Sequence, residues 1–530
     1  MPTLKKLFAV AFYFLIFAWC LNNSFSYLDP DLGWHLKIGQ QIIAEHAVPS
    51  QQIYLWTLPN KTWVDHEWLL NAFSYLIFYY FNYLVLSIIF ALAVVLTFYL
   101  INKFLWQKTK NHAFVMLIEL FGLYGCLPHF GVRMQELTFL FFTLLLIWLE
   151  TGALAQKKFF WLLPLFFYVW ASAHAGFLLG LGLLAIYNLE LILINLLAPK
   201  INWLWLKNQQ QAWPNTIKIA AVSLLAAAAT FITPYGLKLY EFLLGYRDTF
   251  YMTHIQEWLP LSALPISYAK LFFLALFCAI VVIILLQPGK KQLNLWALTL
   301  FGVLTFLSFQ SRRNFPLFVV MALLILLPIF INNVWPEVKP DFVWKIKKIK
   351  INHKLIIAIL GWLFGLAFLA GGIYFLSTTH YTNQPFATYC QDYPCAAVEF
   401  LAAHPELKSK TMFNSYTFGG FMIWALPDWR LFIDGRLPQY QYGSHSLLAE
   451  YFEYYDQTKL AQKLKDNGIN LVFLSTAKTY FKVNWFEKYF FGLNEAAIND
   501  YHDYLFEYLN KSTAWQIIYQ DKAFVIFEKK

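Results

Sequence analysis

Charge is what this chain of 530 residues has least of. Only 13% of its residues are Asp, Glu, Lys or Arg, against roughly 25% in a soluble globular domain. With 59% hydrophobic residues and a mean hydropathy of +0.50, that deficit excludes a water-soluble fold and predicts a polytopic α-helical membrane protein. Phosphate cradles are also missing. There is no Gly-x-x-x-x-Gly-Lys-Ser/Thr and no Gly-x-Gly-x-x-Gly, so nothing points to a bound nucleotide. The first apolar run, about residues 7–27, is followed by Asn22-Asn23-Ser24-Phe25 and by no small-residue cleavage site, which predicts an uncleaved first helix. A concentrated basic patch is absent too. The net charge of +10 is spread in short clusters between apolar runs, which excludes nucleic acid as a partner and fits positive-inside orientation.

Those runs predict about eleven spans of ~20 residues. They fall near 7–27, 71–101, 111–127, 136–155, 159–173, 176–197, 217–233, 268–287, 292–309, 315–333 and 355–376. Lysines mark every second gap: Lys5 and Lys6; Lys103, Lys108 and Lys110; Lys157 and Lys158; Lys200 and Lys207; Lys290 and Lys291; then Lys345, Lys347, Lys348, Lys350 and Lys354. The amino terminus is therefore expected in the cytoplasm and the carboxyl terminus outside. This divides the chain into a transmembrane domain, 1–376, with outer loops 28–70 and 234–267, and an extracytoplasmic domain, 377–530. In the first loop, Leu32, Leu36, Ile42 and Ile43 alternate with Lys37, Gln40 and Gln41 as in an interfacial amphipathic helix.

The tail loses the long apolar runs. Strand-like stretches at 410–414, 430–434 and 470–475 alternate with helical stretches at 444–465 and 485–509, and a hairpin pairs 515–519 with 523–528. The alternation predicts an α/β domain with a mainly parallel sheet, with 414–420 turning into a helix and Asp434-Gly435 as a tight turn. Cys20, Cys126 and Cys278 lie within spans, as small apolar fillers. Cys390 and Cys395 flank a short outer loop without two further ligands at zinc spacing, which points to a small disulfide loop.

Polar groups capable of chemistry collect on the side assigned as outer. In Tyr27-Leu-Asp-Pro-Asp-Leu-Gly-Trp-His-Leu36, Asp29 reads as a helix N-cap with Pro30 at the first helical position. Asp31 and His35 then share a face at i,i+4 spacing. That arrangement suits a base or a divalent cation such as Mg or Mn held by Asp29, Asp31 and His35. Asp65, His66 and Glu67 open the next span, where the helix dipole also favours carboxylates. His174 lies in a tight turn, where a histidine is more often packed than a ligand, Tyr235 opens the second outer loop, and Glu257 lies further along it. Arg133, Arg312 and Arg313 stand on the side where positive charge is rare. Arginines there suit phosphate, which a guanidinium binds through two parallel hydrogen bonds.

The order of these motifs resembles a known group. Asp-Pro-Asp-Leu-x-Trp-His-Leu, Trp-Val-Asp-His-Glu-Trp-Leu, Arg-Met-Gln, Trp-Ala-x-x-His-Ala-Gly-Phe, Thr-Pro-Tyr-Gly-Leu, Glu-Trp and Arg-Arg-Asn-x-Pro look like bacterial multispanning proteins of the GT-C superfamily. The likeness extends to Asn414-Ser-Tyr-x-Phe-Gly-Gly-Phe and Phe432-Ile-Asp-Gly-Arg436 in the tail. It implies a multi-pass glycosyltransferase of the bacterial inner membrane whose first outer loop carries an acidic motif, here Asp29 and Asp31. On that reading the donor is a polyprenyl-phosphate-linked sugar and the acceptor is a glycan, lipid or protein hydroxyl. Asp31, with Asp29 second, would act as base in an inverting transfer. Arg312, Arg313 and Arg133 would hold the donor phosphate. His35, Asp65, His66, Glu67, His174, Tyr235 and Glu257 would position the acceptor. The alternative is a non-catalytic binding, transport or scaffold protein on the same framework.

Overall fold

Long apolar runs without internal water partners must satisfy their backbone within one segment, and here they form helices. The computed structural model describes residues 2–109, 112–200, 210–245, 249–286, 294–333, 353–384, 386, 390, 392–477, 480–500 and 502–530. Six helical segments are long and apolar enough to cross a membrane: Lys6–Ser26, Tyr83–Lys108, Phe177–Leu197, Trp213–Ile232, Tyr268–Leu285 and Arg312–Asn332. The chain is thus a helical membrane protein with a small sheet region in its tail. Lys110, Lys207, Lys290, Lys291, Lys345, Lys347, Lys348 and Lys350, used above for orientation, lie outside the described residues.

The chain divides into two compact units. One comprises Met1–Tyr27, Ser87–Gly236 and Ser267–Tyr381; the other comprises Leu28–Leu86, Leu237–Ile266 and Thr382–Lys530. The outer loops, grouped with the membrane part on sequence, thus cluster with the tail.

In the first unit, α1 (Pro2–Ser26) runs against the helix His353–Thr378. Trp19 stacks on Phe375 at 5.3 Å, and Asn22 Nδ2 donates to Thr379 Oγ1 at 2.9 Å. The span Arg312–Asn332 is the most buried of the six and widens into one π turn at Ala322–Leu326.

In the second unit, α2 (Leu32–Glu45) packs on α3 (Trp68–Phe81) and on the short helix Gly419–Ala425. Of the α2 residues expected to lie on the membrane surface, Leu32, Leu36 and Ile42 are buried in protein and Ile43 is half-buried. The contact is backbone to backbone. A Cβ on Gly33 would run into the Gly420 carbonyl, and one on Gly420 would run into the Pro30 carbonyl, so only glycine fits either side. The single span expected over 71–101 is two helices. Asn82 ends α3 at φ 85°, and its Oδ1 accepts from Leu84 N at 2.9 Å to start the helix Tyr83–Lys108.

The tail sheet has the order β1-β4-β6-β5, built from β1 (Met412–Asn414), β4 (Leu471–Ser475), β5 (Trp515–Gln520) and β6 (Phe524–Lys529). Only β1 and β4 pair in parallel, so the sheet is mixed, where the sequence predicts a mainly parallel one. A two-residue pair, β2 (Gln441–Tyr442) and β3 (His445–Ser446), stands apart. The strand expected at 430–434 does not form because its backbone is engaged elsewhere. Asn414 Oδ1 accepts from Phe432 N at 2.8 Å, Asn414 Nδ2 donates to the Ile433 carbonyl at 2.9 Å, and Leu431 N donates to the Tyr54 carbonyl at 2.8 Å. Both long helices expected in the tail are broken by local caps. Asp456 Oδ1 accepts from Thr458 N at 2.8 Å between Leu447–Glu453 and Leu460–Asp466. Gly492, at φ 66°, ends Trp485–Phe491, and Asn494 and Asp503 cap the two helices that follow.

Candidate active site

The polar core of the second unit starts at Asp29. Its Oδ1 accepts from Asp31 N at 2.8 Å and its carbonyl from Leu32 N at 3.1 Å, a local turn that Asp-Pro-Asp favours. The helix therefore starts two residues later than expected, with Asp31 at the N-cap position and Pro30 in the turn before it. Asp31 makes no side-chain cap bond. Instead its Oδ1 accepts from Trp34 Nε1 at 2.8 Å, and Gly435 lies so close that a Cβ there would collide with that oxygen. Burial pushes the Asp31 carboxyl up from 3.8 to about 7, with the Asp29 carboxylate the next cause. The Trp34 bond opposes this, and Glu257 and Asp434 add smaller pushes upward. A carboxyl tuned that way exchanges its proton near neutrality, as a general base requires.

His35 belongs to a second array. Its Nδ1 lies 2.6 Å from Asn71 Oδ1, and Asn71 Nδ2 donates to both Asp65 oxygens at 3.0 and 2.9 Å. Since the amide nitrogen serves Asp65, its oxygen must be the acceptor, which puts the imidazole proton on Nδ1. Burial lowers His35 to about 3, so the ring is neutral, and it lies against Trp34 with centroids 3.7 Å apart. Burial raises Asp65 to about 6, against the lowering effect of its Asn71 and Glu67 N–H bonds. Glu67 lies between two imidazoles, 3.8 Å from His35 Nδ1 and 3.7 Å from His66 Nε2.

A third element supports both. Arg436 clasps Asp434 through Nη2 at 2.6 Å and Nε at 3.1 Å, fully buried, with its guanidinium 5.0 Å from the Tyr54 ring and 4.7 Å from the Trp63 ring. This pair fixes the turn that carries Gly435 against Asp31.

The expected cation set does not gather. His35 turns Nδ1 to Asn71 and Asp31 serves Trp34. Among the described residues, the group whose ligand atoms lie within 4.8 Å of one another is His445, Glu450 and Glu453. Lys463 Nζ sits 2.6 Å from both of those glutamates and Lys459 Nζ 2.6 Å from Glu453, so two ammonium groups already balance the two carboxylates.

The remaining expected residues lie in the first unit. His174 is buried: its Nδ1 accepts from Gly176 N at 2.9 Å and lies 2.8 Å from Thr138 Oγ1, which in turn accepts from Trp170 Nε1 at 3.0 Å. Tyr235 sits in the turn closed by Gly236 N to the Thr233 carbonyl at 3.0 Å. Arg133, Arg312 and Arg313 all act electrostatically on the buried His129, whose Nε2 is 2.7 Å from Lys270 Nζ. Sequence reasoning passed over Lys270, His129, Asn71 and Arg436. Lys270 was findable as a lysine at the start of an apolar run, and Asn71 as an amide four residues after Glu67 in an apolar helix.

No model of a known protein family matches the chain, and no curated protein sequence matches it either.

Proposed function

We propose that this protein is a membrane glycosyltransferase of GT-C type, taking a sugar from a polyprenyl-phosphate carrier and passing it to an acceptor hydroxyl on the outer face of a bacterial inner membrane. The observation that carries the reading is Asp31. It is an acid next to a second acid, relieved of helix capping, with its proton affinity raised to about 7. As the acceptor oxygen attacks the anomeric carbon, Asp31 takes its proton. The bond from that carbon to the phosphate oxygen breaks with inversion, and the electron pair leaves on the lipid phosphate. Asp29 keeps the Asp31 proton affinity high. His35, Asp65, His66, Glu67 and Glu257 orient the acceptor, with His35 locked in one tautomer by Asn71. Arg312, Arg313 and Arg133, joined by Lys270 and His129, take the phosphate charge, which grows in the transition state. The donor set at Asp29, Asp31 and His35 fits a divalent cation poorly, so no step runs through one. Six long apolar helices support a multi-span membrane protein; the eleven spans and the outward tail rest on the apolar runs and the lysine alternation of the sequence.

The test is release of polyprenyl phosphate from radiolabelled polyprenyl-phosphate hexoses and pentoses by the full chain in nanodiscs. Asp31→Asn should lower release ~10²–10⁴ fold while donor binding stays near wild type. Equal turnover by Asp31→Asn, or no turnover of any such donor by wild type, overturns the proposal.

A further inference from the structure

The segment 480–491 holds four large aromatic side chains in the open. Tyr480 is 73% exposed, Trp485 69%, Tyr489 78% and Phe490 68%. This is not a frayed end. The helix Trp485–Phe491 starts with a capping box in which Glu487 N donates to Asn484 Oδ1 at 3.0 Å and Asn484 N donates to Glu487 Oε2 at 2.8 Å. Asn499 clamps Phe481 from both sides, accepting from its N–H at 2.8 Å and donating to its carbonyl at 2.7 Å, and Glu495 accepts from Val483 N at 2.8 Å. Phe486 stacks on Phe490 at 4.5 Å, which sets that ring on the outside face. A rigid frame therefore holds large apolar rings in the open.

We infer that this face of the tail rests on the lipid bilayer as an interfacial anchor. Three observations select that occupant. Trp and Tyr, with an apolar body and a polar tip, are the side chains that settle at headgroup depth. The exposed ionic residues among 480–492 are Lys482 and Lys488; Glu487 is turned inward and used by the cap, and the exposed Glu495 accepts from Val483 N, so the segment carries a net positive charge that favours anionic headgroups. The four rings offer roughly 400–700 Å², from ~150–250 Å² per ring, which falls short of the ~800 Å² per partner of a stable protein interface. A bilayer needs no such area, because the spans of the same chain hold the tail beside it at high effective concentration. The inference is independent of the catalytic proposal.

Nitroxides placed by Tyr489→Cys and, separately, Phe490→Cys in the full chain test it, with Lys511→Cys as a solvent-facing control on the same unit. Collision rates with oxygen and with a water-soluble nickel chelate are measured in vesicles of phosphatidylcholine alone and with a quarter phosphatidylglycerol. The expected result is an oxygen-to-nickel ratio at 489 and 490 at least threefold above the control, rising with the anionic lipid. Lys482→Gln with Lys488→Gln should remove the rise. A ratio equal to the control shows a water-facing surface, and low rates with both probes show a protein partner or a second copy. Either result overturns the inference.

Discussion

Replacing Asp31 by Asn should make the protein more heat-stable at alkaline pH, although it removes the proposed base. The folded state raises the Asp31 carboxyl from 3.8 to about 7, so folding binds its proton more tightly than the unfolded chain does. The native state therefore suffers no penalty below pH ~3.8. It loses stability as the pH climbs to about 7, and the loss stays constant above that. Three units at 1.36 kcal/mol each set an upper figure of about 4 kcal/mol, reduced by whatever water the half-buried carboxylate keeps. Asn cannot ionise, and its amide oxygen still accepts from Trp34 Nε1, so the variant escapes the loss. Intrinsic tryptophan fluorescence during heating, at one scan rate for both proteins because such unfolding is often irreversible, reads the difference. Asp31→Asn should melt several degrees above wild type at pH 8, and most of the gain should be gone at pH 4.5. A gain of equal size at both pH values, or a loss at pH 8, refutes the argument that burial holds a proton on Asp31.

Three further outcomes are expected. Gly435→Ala should drive the Asp31 carboxylate off Trp34, losing a hydrogen bond to a charged group worth ~1.5–3 kcal/mol, and a hydrophobic carbodiimide should then label Asp31 at higher pH than in wild type. Arg436→Met should leave Asp434 buried without its partner and cost ~3–5 kcal/mol in chemical unfolding, whereas Arg436→Met with Asp434→Leu should recover much of that. Cys390 and Cys395 are joined in the structure, and peptide mapping without reductant should find them linked, while Cys390→Ser should melt close to wild type because so short a loop removes little chain entropy.

What was readable from sequence followed from strong local patterns. Apolar runs of membrane length and β4 to β6 need little more than their own residues, whereas the caps at Asn494 and Asp503 split a stretch whose composition reads as one helix. The segment 430–434 carries a strand pattern as clear as any, yet its hydrogen bonds go to the side chain of Asn414 and to residues 54–57, partners that no local window contains. Periodicity found the apolar face of α2, but only the Gly33–Gly420 approach shows that protein covers it. At the candidate site, Asp29 and Asp31 stood out because acids are scarce here. Arg436 did not, since its role depends on Asp434 two residues away and on Tyr54 and Trp63 in a distant loop.

The crossing of Gly33 with Gly420 also sets an order in time. Residue 33 leaves the ribosome ~390 residues before residue 420, and at ~5–20 residues per second the first loop waits roughly 20–80 s for its partner. Through that interval Asp29 and Asp31 lack the Gly435 turn and the cover of the tail helix. A nascent or prematurely terminated chain, however many spans it has inserted, therefore carries an open acidic loop. Any chemistry that depends on Asp31 being held against the Gly435 turn begins only after residue 435 of 530 has been made.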